Sequence, residues 1–124
     1  MKLTISIFYL FFSLFFTSGD ISDEIVSALK QGKTSELVKY FGEKVSVKIT
    51  NQEDVLSKSQ AEANIKYFFD KHTVKSFSSS HVSSMNNSSQ YITGTLETSN
   101  GKFRVSILIR NNLISQFRIE NDND

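Results

Sequence analysis

The spacing of apolar residues changes character several times along the chain. From Leu3 to Phe16 it has no period: the run is uncharged and mostly Ile, Leu and Phe. Ile21, Ile25, Val26 and Leu29 then fall on one helical face, and Gly32 stands where a left-handed C-cap is wanted. Thr34 is placed to cap a second helix, with Leu37, Val38 and Phe41 facing inward and Gly42 closing it. Val45, Val47 and Ile49 alternate with Ser46, Lys48 and Thr50, the period of a half-buried strand. A capping box, Ser57-Lys58-Ser59-Gln60, opens a third helix, and Ala61, Ile65, Phe68 and Phe69 form its apolar face until about His72. Four strands follow, at about 75–84, 90–98, 103–110 and 113–120. The order predicts an α+β domain with helices packed on one face of an antiparallel sheet.

Register divides that sheet into two faces. A two-residue Asn100-Gly101 loop pairs Ser99 with Lys102. One face then collects Ile92, Gly94, Leu96, Phe103, Val105, Ile107 and Ile109; the other, Tyr91, Thr93, Thr95, Glu97, Arg104, Ser106, Leu108 and Arg110. In the last hairpin a simple Asn111-Asn112 loop would bury Arg118 unpaired, which costs several kcal/mol. The apolar pattern instead calls for a three-residue loop or a bulge, with Phe117 and Ile119 beside Ile107 and Val105 and Glu120 beside Arg104. Glu97, Arg104 and Glu120 would then form a charged row across the wet face.

Composition narrows the chemistry. The 124 residues contain no Cys, which excludes a disulfide scaffold, a thiolate metal site and a cysteine nucleophile. Met1-Lys2, the apolar run to Phe16 and the small Thr17-Ser18-Gly19 exit describe a secretory signal peptide over 1–19. The run is shorter than the roughly 20 residues of a spanning helix, so only an uncleaved signal would tie the chain to a membrane. Losing Lys2 takes the 14 basic groups to 13, equal to the 13 acidic groups, and the mature chain 20–124 is neutral. No basic field points to nucleic acid. An exported single domain without disulfides fits a bacterial envelope, periplasmic or secreted. The Asn86–Ser89 stretch matches a glycosylation sequon, a motif with many false positives.

Several short motifs carry a resemblance. Ala28-Leu29-Lys30-Gln31-Gly32, Leu37-Val38-Lys39-Tyr40-Phe41, Ser57-Lys58-Ser59-Gln60-Ala61-Glu62, Phe68-Phe69, Gly94-Thr95-Leu96, Asn100-Gly101-Lys102-Phe103-Arg104-Val105 and Arg118-Ile119-Glu120 resemble a domain-of-unknown-function family exported by Bacteroidota. The likeness spans about residues 20–121, and none of its motifs is catalytic. It implies the nuclear transport factor 2-like (cystatin-like) cone, a curved sheet wrapped over helices, and no known activity. One departure is Ser83, where the family often has Gly two residues beyond the strand histidine.

Enzymes of that fold, isomerases and dehydratases among them, need a carboxylate or a His–Asp pair inside the cone. With a loop of even length at 87–88, the inward face carries one ionisable group, His81, opposite Gly94, whose missing side chain leaves room for an imidazole; an odd shift in the Asn86–Ser89 turn would move His81 to the wet face and bring Val82 inward. Ser79 and Ser83 flank His81 at strand spacing and could satisfy it. These three are the candidate ligand-binding residues, and no catalytic set is complete. His72 reads as a helix C-terminal cap. Tyr67, Tyr40 and the phenylalanines read as core. The acidic end, Glu120 to Asp124, lacks the Gly and terminal Glu of a calcium loop and reads as a solvated tail. Two histidines without i, i+4 spacing make no metal site, and no cofactor fingerprint is present. The expectation is a non-catalytic envelope module that binds a small ligand or an envelope protein. Its alternative is a small isomerase or dehydratase using His81. A homodimer could form through the outer sheet face, with Tyr91, Thr93, Thr95 and Leu108 at the contact.

Overall fold

A computed structural model describes residues 21–86 and 88–122. The signal-peptide segment 1–19, Asn87 of the sequon and the last two residues of the acidic end lie outside those. Helix α1 (Ile21–Gln31) buries Ile25, Ala28 and Leu29 and carries Asp23 and Glu24 in its first turn and Lys30 in its last, complementing its dipole. Gly32 ends it at φ +64. The Gly32 N–H donates to the Leu29 carbonyl and the Lys33 N–H to that of Ala28, both at 3.1 Å, the two bonds of a Schellman motif.

That motif changes the start of the next element. Because Lys33 completes one helix and is the N-cap of the next, α2 (Thr34–Leu37) begins a residue early, with no side-chain cap. Thr34 is therefore not the cap; it is the first helical residue and is buried. A 3₁₀ turn (Val38–Tyr40) follows, and the chain is already extended at Phe41, so Gly42 lies inside a strand. The capping box of α3 (Lys58–Lys71) forms as read: the Gln60 N–H donates to Ser57 Oγ at 3.2 Å and the Ser57 N–H to Gln60 Oε1 at 3.0 Å.

Six strands, β1 (Phe41–Ile49), β2 (Gln52–Ser57), β3 (Val74–Asn86), β4 (Ser89–Thr98), β5 (Gly101–Arg110) and β6 (Leu113–Asn121), make one sheet in the order β2-β1-β6-β5-β4-β3. The first strand pairs parallel with the last and every other neighbour is antiparallel. The sheet is thus mixed, a correction to the all-antiparallel expectation, and β2 is a strand that the apolar pattern does not announce. Its residues are exposed or half-buried, so edge pairing with β1 holds it rather than a core face. Three helices on a curved mixed sheet remain an α+β fold.

The two strand pairings at the centre show how pattern fixes register. The β4–β5 turn is Ser99-Asn100, with Thr98 opposite Gly101, two positions from the expected pairing. A shift of two leaves every side chain on its face. Ile92, Leu96, Phe103, Val105, Ile107 and Ile109 are accordingly buried. Glu97 lands opposite Lys102 rather than Arg104, so the expected charged row does not include it. In β5–β6, Asn111 (φ 51) and Asn112 (φ 65) form a tight turn with both central residues left-handed. The ladder then shifts between Leu108 and Ile109, which places Val105 opposite Ile119 and Ile107 opposite Phe117. The bulge expected from the cost of burying Arg118 is present. Phenylalanines fill the space under the sheet: Phe41 packs against Phe117 at 5.8 Å between centroids and Phe68 against Phe103 at 5.1 Å.

Candidate functional site

Three candidates of the sequence, Ser79, His81 and Ser83, lie on β3, and they do not converge. Ser79 pairs with Gly94 in the inward register, but the ladder shifts between Ser79 and His81, and His81 pairs with Thr93. Beyond that bulge the facing is reversed. His81 and Ser83 share the outer side with Thr93 and Tyr91, and His81 is exposed. The inward position expected for His81 is corrected. Phe77 takes the space above Gly94: a Cβ there would stand 2.5 Å from Phe77 Cζ and 2.5 Å from the Ser78 carbonyl oxygen. Burying a phenyl ring gains more than burying an imidazole that must find a partner. The serines around it offer no apolar pattern that would resist a bulge.

His72, by contrast, sits where it was read. It is the C-cap of α3; its N–H donates to the Phe68 carbonyl at 2.9 Å, and its Nδ1 lies 3.0 Å from the same oxygen. A carbonyl only accepts, so Nδ1 carries the proton and Nε2 is left without a bond to a described residue. The ring stacks on Phe68 at 4.2 Å and meets the edge of Phe103 at 5.2 Å. Asn100 Nδ2 donates to the Lys71 carbonyl at 2.7 Å, so the β4–β5 turn caps the helix a second time and holds its end against the sheet.

This end of α3 forms one wall of a half-open cleft of about 200 Å³. Asn64, Tyr67, Phe68, Lys71 and His72 line it from the helix; Ile49, Thr50 and Gln52 line it from the β1–β2 turn. Tyr67 is 64% exposed, correcting its assignment to the core, and the Lys71 ammonium rests 5.1 Å from its ring centroid. The side-chain amides of Asn64 and Gln52 have no hydrogen-bond partner among the described residues. A smaller hollow adjoins it, sharing Ile49, Gln52 and Asn64 and adding Asp54. Sequence reasoning missed this site, although a signal exists. Asn64, Tyr67 and Lys71 stand at i, i+3, i+7, a second stripe beside the apolar face Ala61, Ile65, Phe68.

The outer face holds a different cluster. Lys48 Nζ donates to Glu120 Oε2 at 2.9 Å; Arg118 reaches Glu53 at 3.1 Å and Glu120 at 3.7 Å. These four tie β2, β1 and β6 together across the parallel seam. The hydrogen bond from Lys48 holds the Glu120 carboxyl below its ordinary value against its partial burial, and the charges of Lys48 and Arg118 add to it. Glu120 is therefore part of the sheet and not of a frayed tail. Tyr91, Thr93 and Thr95 are half-buried at the centre of this face, and Leu108 beside them is only 9% exposed.

Residues 22–121 match the family described as Domain of unknown function (DUF4783). The structure is similar to that of a DUF4783 family protein from Bacteroides uniformis, with a TM-score of 0.81 and 34% identity, covering 85% of this chain and 100% of that one. A DUF4783 family protein from Bacteroides fragilis is similar at a TM-score of 0.73 and 35% identity, over 79% of this chain and 95% of that one. At 10% identity the fold alone is shared with an NTF-2 like protein of unknown function from Shewanella oneidensis, at a TM-score of 0.60 over 82% of this chain and 93% of that one. No curated protein matches significantly. With its nuclear transport factor 2-like fold and a match over nearly all of its described residues, the chain belongs to the DUF4783 family.

Proposed function

We propose that this protein is an exported, non-catalytic binding module whose ligand sits in the cleft between α3 and the β1–β2 turn. The observation that carries the reading is the pairing of a phenyl ring over Gly94 with an open cleft at the surface. Phe77 occupies the space over Gly94 where a ligand or a catalytic imidazole would have to sit. Tyr67, Lys71 and two unpartnered amides line an opening at the surface instead. Concave sites with an aromatic wall and a few polar groups are the ordinary form of small-molecule binding. The alternative of an isomerase or dehydratase needs His81 inside beside a carboxylate, and the bulge before it turns it outward. Export rests on the Met1–Gly19 pattern.

Native mass spectrometry of protein purified from the cells that make it tests this reading. A retained small molecule should be lost from Tyr67→Ala and kept by His81→Ala. A bare chain, or a molecule lost only from His81→Ala, contradicts it. The uncharged centre of the outer face, Tyr91, Thr93 and Thr95, favours a second reading, a contact between two copies. Leu108 is too covered to probe it, whereas Tyr91→Glu would separate such a dimer in sedimentation.

A further inference from the structure

Building on the cleft as the binding site, we infer that its ligand is an acidic sugar residue at the end of a glycan chain. The cleft is chemically polarised. At one end stands the Lys71 ammonium, held over the Tyr67 ring. At the other end are the Gln52 and Asn64 amides and, in the adjoining hollow, the Asp54 carboxylate. The first end suits a carboxylate. The second suits hydroxyl groups, because each amide offers a donor and an acceptor and Asp54 accepts. Between them Tyr67 presents an exposed aromatic surface, on which the apolar C–H face of a pyranose packs. The volume, about 200 Å³, accommodates one ring, and the half-open form leaves the rest of a chain in solvent. A flat aromatic acid would use the Lys71 end and leave the amides and Asp54 idle. A neutral sugar would leave the cation idle. The acidic sugar uses both.

The test is an NMR titration of ¹⁵N-labelled protein with digalacturonate, its neutral counterpart galactobiose, and benzoate. Digalacturonate should shift the side-chain amide signals of Asn64 and Gln52 saturably and bind about fivefold more tightly than galactobiose, the ratio one exposed ion pair supplies. Lys71→Met, which keeps the stem over Tyr67 and removes the charge, should abolish that preference. Equal binding of the two sugars, or a preference that survives Lys71→Met, overturns the acidic assignment. Shifts at Asn64 and Gln52 with benzoate alone overturn the sugar and leave the cleft standing. Silence at both residues with all three probes removes the cleft reading as well.

Discussion

The two hairpins that flank the centre of the sheet were built from different residues, and only one has a register readable from them. In β5–β6 the apolar positions Phe117 and Ile119 alternate with Arg118 and Glu120 and face Ile107 and Val105, so any slip by one would bury Arg118. A single bulge between Leu108 and Ile109 reconciles a tight Asn-Asn turn with that pattern. In β3–β4, seven of the thirteen β3 residues from Val74 to Asn86 are serine or asparagine, and the ladder shifts three times. A serine is nearly indifferent to which face it occupies, so each shift costs little. Register is a property of the side chains that object to being turned over, and opposite Gly94 and Leu96 that residue is Phe77.

The sharpest way to break that comparison is to remove the objector from the well-determined hairpin. Phe117 is fully buried, and Phe117→Ala should lower stability by about 3–5 kcal/mol in chemical denaturation. On the simple-turn register Phe117 would face solvent and the loss would be small. In the other hairpin, Gly94→Ala should cost about 2–3 kcal/mol, because the new methyl meets both the Phe77 ring and the Ser78 backbone. An unchanged denaturation midpoint in Gly94→Ala would contradict the packing of Phe77 over Gly94. At the turn, Asn112→Ala should cost about 1–2 kcal/mol for a left-handed residue, and Asn112→Gly should cost nothing comparable.

The smallest effect is electrostatic. The folded-state pKa of Glu120 lies below its unfolded value, so its contribution is present above about pH 4.5 and is lost as pH falls through the depressed folded value. The denaturation midpoint should fall with acidification below that pH, less steeply in Glu120→Gln. Equal slopes in the two proteins would show that the Lys48–Glu120 pair contributes nothing to the seam between β1 and β6.

These contrasts also mark how far the chain could be read before its structure. Elements closed by local chemistry were legible: the Ser57–Gln60 box, the Gly32 cap, and the faces of β4 and β5, which survive a two-residue shift because the pleat repeats every two residues. Features set by distant partners were not. Nothing within β2 marks it as a strand, since it is held by β1, and the parallel pairing of β1 with β6 joins residues some 70 positions apart. The candidate site divided the same way. His72 was placed correctly because a helix end determines it. His81 was misplaced because a run of serines determines nothing. Of the Asn64, Tyr67 and Lys71 stripe, which the spacing contains, only Tyr67 enters the sequence reading, and there as core.

The most direct measurement concerns the two histidines together. Carbethoxylation mapped by mass spectrometry reports how freely each imidazole meets solvent. His81, exposed on the outer side of β3, should be modified faster than His72, which is half-buried between Phe68 and Phe103 with Nδ1 bonded. The protein should remain folded after His81 has reacted. Protection of His81 in the folded protein, with reaction only on unfolding, would return the imidazole to the interior and contradict the assignment of function to the surface cleft.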